Sequence, residues 1–85
     1  MKKIIYGNDK NVIYKKLKLC RVAKGLTQGA LAAKMQTMNV NIDQQMISKI
    51  ENNDRQVTDY EVACICECLK VEPAWLLQDY RLLWE

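Results

Sequence analysis

The stretch "TQGALAAKMQTMNVNIDQQMISKIENN", residues 27–53, decides the fold of this 85-residue chain. Thr27 precedes a run of alanines with apolar residues four apart, a pattern typical of a helix capped by a threonine hydroxyl. Asp43 stands in the same position before a shorter helix, 44–51, whose two isoleucines lie on one face. The stretch therefore predicts two helices joined by a turn.

Helical periodicity continues on both sides of this pair. On the N-terminal side, apolar residues at spacings of three and four predict a helix over Val12–Lys24, and Gly25 suits the left-handed residue that ends it. On the C-terminal side, Thr58 and Glu61 form a capping box for a fourth helix, and Pro73 opens a short fifth one. The sequence thus predicts an all-α fold, a compact bundle of five short helices.

The length suits a single domain. We expect one domain over residues 1–85, with its core at 12–78, an N-terminal extension at 1–11 and an apolar C-terminal tail at 79–85. The longest apolar run, Val62–Cys66, has five residues, too few for a membrane span or a signal peptide. A cytoplasmic protein without a membrane partner is therefore expected.

Composition excludes several kinds of enzyme. The chain has no histidine, so it has no histidine general base, no Ser-His or Cys-His nucleophile pair and no imidazole metal ligand. Its carboxylates are scattered over helix surfaces, with no pair placed to work together. We expect neither an enzyme nor a bound cofactor or metal.

The net charge of +3 hides a segregation along the chain. Residues 1–49 hold ten Lys and Arg against two acids, a balance of +8, whereas residues 50–85 hold three against eight, a balance of −5. This asymmetry is typical of a basic face for a polyanion and an acidic side for another partner, although ordinary solvation of helix surfaces gives the same pattern.

The predicted third helix carries amide side chains at its start. A glutamine amide offers a donor and an acceptor together and matches adenine N6 and N7 in the major groove. Gln44 and Gln45 have this chemistry, and Ser48 and Lys49 follow one turn later on the exposed face. Gln28 stands at the electropositive start of the second helix, where an amide and free backbone N–H groups suit a phosphate.

The chain resembles the lambda-repressor-like helix-turn-helix domain of phage repressors, Cro proteins and xenobiotic-response-element (XRE) regulators. The resemblance rests on "LKLCRVAKGLTQGALAAKM", "QQMISKIENNDRQVT" and "DYEVACICECLKVEPAWLL", and it extends from Leu17 to Leu76. It implies base contacts by Gln44, Gln45 and Lys49, phosphate contacts by Gln28 and Asn52, and a partly buried ion pair between Arg21 and Glu51. Beside these residues we expect a base contact by Ser48, and phosphate contacts by Thr27 and by Arg55 in the loop after the third helix.

The turn departs from the family pattern. Ala32 and Ile47 lie fifteen residues apart, farther than is usual in the family, which indicates an insertion around residues 36–42. We expect a longer second helix or an enlarged turn, with Asn39 or Asn41 taking the left-handed conformation in place of the usual glycine.

Two groups of side chains allow alternative interpretations. Cys64, Cys66 and Cys68 are typical of core packing, and a metal or redox role is the alternative. Leu19 and Val22 lie off the core face of the first helix, covered either by the N-terminal Ile4-Ile5-Tyr6 or by a partner. Lys15, Lys16 and Lys18 are expected on the solvent side of that helix.

The resemblance implies a sequence-specific regulator that binds double-stranded DNA, of the repressor type found in phages and mobile elements. Helix-turn-helix proteins that bind DNA as two-fold dimers place their recognition helices about 34 Å apart. We therefore expect a palindromic operator and a homodimer. The dimer is expected to form through the fifth helix and the tail, where Leu82, Leu83 and Trp84 are apolar. The alternative is an antitoxin-like module whose acidic C-terminal half binds a protein partner.

Overall fold

Five helices and one two-stranded ribbon make up the structure. The computed structural model describes residues 2–84, with side chains up to residue 82. The predicted five-helix bundle is confirmed, with each predicted helix present within a few residues of its expected bounds. In chain order the elements are β1 (Lys2–Ile5), α1 (Tyr14–Ala23), α2 (Gln28–Thr37), α3 (Gln44–Glu51), α4 (Asp59–Leu69), α5 (Pro73–Leu76) and β2 (Arg81–Trp84).

The predicted helix ends have the expected caps. The Thr27 hydroxyl accepts from the N–H of Ala30 at 3.0 Å, and the Asp43 carboxylate accepts from the N–H of Met46 at 2.8 Å. Thr58 and Glu61 form the complete capping box at the start of α4. Such caps satisfy backbone donors that have no partner inside the helix, and each contributes about 1 kcal/mol.

One apolar core joins the helices. Its fully buried side chains come from every helix or the residues flanking it, and burying each of them stabilises the fold by about 1.5–3 kcal/mol. Because α3 contributes two of these anchors and has only eight residues, its orientation is set by the core rather than by its own helical propensity. The largest fully buried residues are Ile13, Leu17, Leu31, Met35, Ile42, Ile47, Ile50, Ile65, Leu69 and Leu76.

The connection between α2 and α3 is enlarged, as predicted, and it is anchored at several points. Asn39 takes the left-handed conformation, with a φ of 64°. The N–H of Val40 then donates to the carbonyl of Met35 at 3.1 Å. Ile42 is fully buried, and the Gln36 amide donates to its carbonyl at 2.8 Å. The extra residues therefore hold a defined path from α2 to α3.

The sequence analysis did not predict the ribbon. β1 pairs with β2 in antiparallel register, with Ile4 opposite Leu82 and Ile5 opposite Arg81. Of the two alternatives for Leu19 and Val22, cover by Ile4-Ile5-Tyr6 is not observed, and the backbone of Ile4 and Ile5 pairs with the tail. Leu19 and Val22 remain 64% and 59% exposed.

Lys16 also differs from its predicted place on the solvent side of α1. Its ammonium donates to the carbonyl of Trp75 at 2.9 Å and to Oε1 of Gln78 at 3.0 Å, and lies 3.6 Å from Asp79. It also stands 4.8 Å from the centre of the Trp75 ring, within reach of a cation–π attraction. Lys16 therefore joins α1 to α5.

The cysteines lie mainly in the core. Cys20, Cys64 and Cys66 are buried and Cys68 is half-buried. Burial raises the pKa of the Cys20 and Cys66 thiols, and burial together with the neighbouring Cys68 raises the pKa of the Cys64 thiol to about 11. None of the helices within residues 2–84 is long and apolar enough to cross a membrane.

Candidate nucleic-acid interface

The outer face of α3 carries the polar residues that the sequence singled out. Ile47 and Ile50 are fully buried, so the opposite face of this short helix is directed to solvent. Gln44, Gln45 and Lys49 are exposed on it, and Ser48 is half-buried beside them. The spacing of Gln44 to Ser48 and of Gln45 to Lys49 is one helical turn, so α3 presents two amides, a hydroxyl and an ammonium together.

The start of α2 lies against the start of α3. A Cβ atom placed on Gly29 would lie 3.5 Å from Oε1 of Gln44. Gln28 is half-buried, and its amide donates to Oε1 of Glu51 at 3.1 Å. Thr27, on the other side of Gln28, is exposed and serves as the cap of α2. The predicted phosphate-binding residues Thr27 and Gln28 are thus adjacent to the face of α3, and Gln28 also braces that helix.

A buried ion pair holds α3 against α1. Arg21 Nε lies 2.6 Å and Nη2 2.9 Å from the two Glu51 carboxylate oxygens, and Nη1 donates to the carbonyl of Leu26 at 2.7 Å. The hydrogen bonds to Glu51 raise the pKa of Arg21. The structure therefore forms the predicted pair, and the Glu51 carboxylate, whose side chain is only 2% exposed, is buried and neutralised by Arg21.

The Arg55 guanidinium faces α4 instead of standing free in the loop. It pairs with both carboxylate oxygens of Glu61, at 2.9 and 3.0 Å, and donates to the carbonyl of Gln56. This pairing raises the pKa of Arg55 and holds the pKa of Glu61 below its ordinary value. Both Nη atoms of Arg55 bind the Glu61 carboxylate. The phosphate contact of Arg55 stays a prediction, and this ion pair competes with it. The sequence alone predicts only the capping-box role of Glu61.

The end of α3 is held by a residue that the sequence analysis missed. Asn52 lies exposed at the C-cap, whereas Asn53 is in the left-handed conformation, with a φ of 61°. The Asn53 amide donates to Oδ1 of Asp9 at 2.7 Å and accepts from the N–H of Lys10 at 2.8 Å. An asparagine directly after a helix is a signal for this conformation, but nothing local identifies its partners more than forty residues away.

Asn11 reinforces the same contact. Its amide donates to the carbonyls of Ile50 and Arg55, both at 3.0 Å, and its own carbonyl accepts from the N–H of Ile13. Asn11 therefore satisfies backbone acceptors at and beyond the end of α3, while Asp9 and Lys10 bind the Asn53 side chain. The face of α3 is consequently fixed at its start by α2, along its length by α1 and at its end by the N-terminal segment.

Comparison with known proteins agrees with this geometry. The helix-turn-helix family model matches residues 17–76. The crystal structure of the restriction-modification controller protein C.AhdI from Aeromonas hydrophila is similar, with a TM-score of 0.67 and 26% sequence identity over 75% of this chain and 89% of that chain. No curated protein matches the chain.

Proposed function

Because this chain belongs to the lambda-repressor-like (XRE) helix-turn-helix family and is thus a DNA-binding transcriptional regulator, we propose that it reads a specific double-stranded DNA site in the major groove through α3. The observation that carries the proposal is the exposed polar face of α3. Gln44, Gln45, Ser48 and Lys49 lie on that face, while the apolar face of the same helix is buried.

The interface has residues that contact bases and residues that contact the phosphate backbone. Gln44 and Gln45 have amides suited to adenine, and Lys49 reaches guanine or a phosphate. The Ser48 hydroxyl can donate a hydrogen bond to a base or accept one from it. Thr27 and half-buried Gln28 at the start of α2, and exposed Asn52 at the end of α3, hold the DNA backbone. Glu51 does not oppose this contact, since its charge is buried and paired with Arg21.

The regulator acts as a homodimer on a palindromic operator, as a repressor in the cytoplasm. Exposed apolar side chains around α5 and the ribbon support this assembly, among them Leu77, Tyr80 and Leu82. Leu83 and Trp84, which the sequence also assigned to the interface, have side chains outside the described residues. A two-fold dimer places two copies of α3 on successive major grooves, which one short helix does not achieve alone.

Selection of bound sequences from random duplex DNA tests the reading role. We expect a palindromic site, and on that site Gln44→Ala and Gln45→Ala each weaken binding by about 1–3 kcal/mol, with a smaller effect on random DNA. Gln56→Ala removes another exposed glutamine, away from α3, and is the matched control. Equal losses on selected and random DNA, or a loss in the Gln56 variant as large as in the others, contradict the proposal.

Sedimentation at micromolar concentration, free and with the selected DNA, tests the assembly. Tyr80→Ser, in the exposed segment between α5 and β2, is expected to shift the protein towards monomer and to weaken operator binding. A wild-type protein that is monomeric in both conditions contradicts the dimer but leaves base reading by α3 intact.

A further inference from the structure

Three sulfur atoms converge where α2 ends against α4. The Met38 thioether sulfur lies 3.6 Å from the Cys68 sulfur and 3.9 Å from the Cys64 sulfur. Cys64 and Cys68 are one turn apart on α4, and Met38 is the C-cap of α2. The two helices thus bring together one thioether and two thiols from segments about thirty residues apart in sequence.

Core packing explains the burial of Cys64 but not the rest of this arrangement. Met38 is 45% exposed, and Cys68 is half-buried at the edge of the core, so neither side chain is fully enclosed. The Met38 sulfur nevertheless lies within 4 Å of the sulfurs of both cysteines. The cluster is therefore open to solvent on one side and closed by the core on the other, as an ion site with an entry path must be.

The distances suit a single soft metal ion. Thiolate and thioether ligands select Cu(I) over harder cations. With metal–sulfur bonds of about 2.3 Å, three sulfurs arranged in a plane around one ion lie about 4.0 Å from each other. The two separations from Met38 are close to this value. The Met38 thioether supplies the third ligand, since its sulfur lies next to both thiols.

We propose that Met38, Cys64 and Cys68 form a binding site for Cu(I). Binding replaces the thiol protons, which leave to solvent, by metal–sulfur bonds, and the ion stays in the +1 state throughout. Because Met38 stands at the end of α2, where the enlarged turn towards α3 begins, the bound ion joins this end of the turn to α4. The site is separate from the DNA-contacting face of α3 and does not depend on the proposed base contacts.

Anaerobic titration of the reduced full chain tests the site. The probe is Cu(I) supplied as its acetonitrile complex, in competition with a coloured Cu(I) chelator. We expect one Cu(I) per chain and a thermal unfolding midpoint that rises with copper, since a ligand that binds only the folded state stabilises it. Met38→Leu, a conservative change at an exposed position, is expected to weaken binding at least about tenfold, and Cys64→Ala with Cys68→Ala to remove it.

The other pair of cysteines gives the matched control. Cys20→Ala with Cys66→Ala removes the same number of thiols outside the cluster, and it is expected to retain one tightly bound Cu(I). Circular dichroism establishes that each variant is folded before titration. Copper affinity unchanged in Met38→Leu, or lost equally in the two double variants, overturns the three-sulfur site, as does a wild-type chain that does not compete with the chelator.

Discussion

Replacing Glu51 by glutamine tests whether the ion pair under α3 stabilises the fold. The change keeps the shape of the side chain but removes its charge. Three hydrogen bonds meet at the Glu51 carboxylate, two from Arg21 and one from Gln28. A glutamine amide accepts at only one of its two positions, so at least one of these bonds is replaced by two donors that face each other.

The expected loss follows from burial. The side chains of Arg21 and Glu51 are 10% and 2% exposed, so in Glu51→Gln the Arg21 charge stays buried without its counter-ion. A hydrogen bond to a charged group contributes about 1.5–3 kcal/mol, and breaking a buried pair from one side costs about 3–5 kcal/mol. We expect a loss of about 3 kcal/mol, a large part of the stability of a domain of this length.

Urea unfolding followed by circular dichroism measures this loss. With a slope of about 1 kcal/mol per molar urea, the midpoint falls by about 3 M. Glu67→Gln, an exposed carboxylate on α4, is the matched control and should change the midpoint little. The double variant Arg21→Met, Glu51→Leu should recover most of the stability, because an apolar pair leaves no unpaired charge. A loss below about 1 kcal/mol in Glu51→Gln refutes the reasoning.

Three further predictions concern single side chains around the same helices. Pairing with Arg55 lowers the pKa of Glu61, so the stabilisation by this pair is complete above the ordinary glutamate pKa and is lost as pH falls through the lowered pKa. The difference in unfolding free energy between wild type and Glu61→Gln should therefore shrink below pH 4.5. A difference that stays constant with pH contradicts the assignment. Gly29→Ala should raise the free energy of unfolding in urea by about 0.5–1 kcal/mol, since its Cβ meets only ordinary contact, and a lower free energy of unfolding contradicts this reading of the site. Asn53→Gly should lower the free energy of unfolding by about 1–2 kcal/mol through its lost hydrogen bonds, and Asn53→Ala by about 1 kcal/mol more because alanine disfavours the left-handed backbone. Amide exchange at Lys10 should be faster in both variants. Equal stability of the two variants contradicts the role of the backbone.

Local signals predicted the helices because their causes are local. A hydroxyl or carboxylate at an N-cap acts within three residues, so Thr27, Asp43 and Thr58 could be assigned from the chain alone. The apolar spacing of α3 likewise identified which face is buried, and with it the exposed side chains of the candidate interface. Left-handed Asn39 was one of two asparagines that the turn offered, and only the surrounding backbone selects between them.

Long-range contacts were largely beyond the sequence. β1 has four residues without apolar and polar alternation, so nothing in it predicts a partner eighty positions away. Lys16 and Arg55 look like ordinary surface cations, since any of several carboxylates and carbonyls is a possible partner. The Arg21–Glu51 pair was predicted only because the resemblance implied it. Charge alone does not specify a pairing.

The anchored connection between α2 and α3 also bears on how this motif tolerates changes in length. Its two ends are fixed, one by the bond from Val40 to Met35 and the other by the buried Ile42. Exposed Asn41 is the one residue between these anchors. Because both sides of Asn41 are anchored, an insertion at this position is expected to change the orientation of α3 least. A deletion of Ile42 removes a side chain of the core. Related chains with turns of different length are thus expected to vary on the solvent side of the turn and to keep an apolar residue just before the cap of α3.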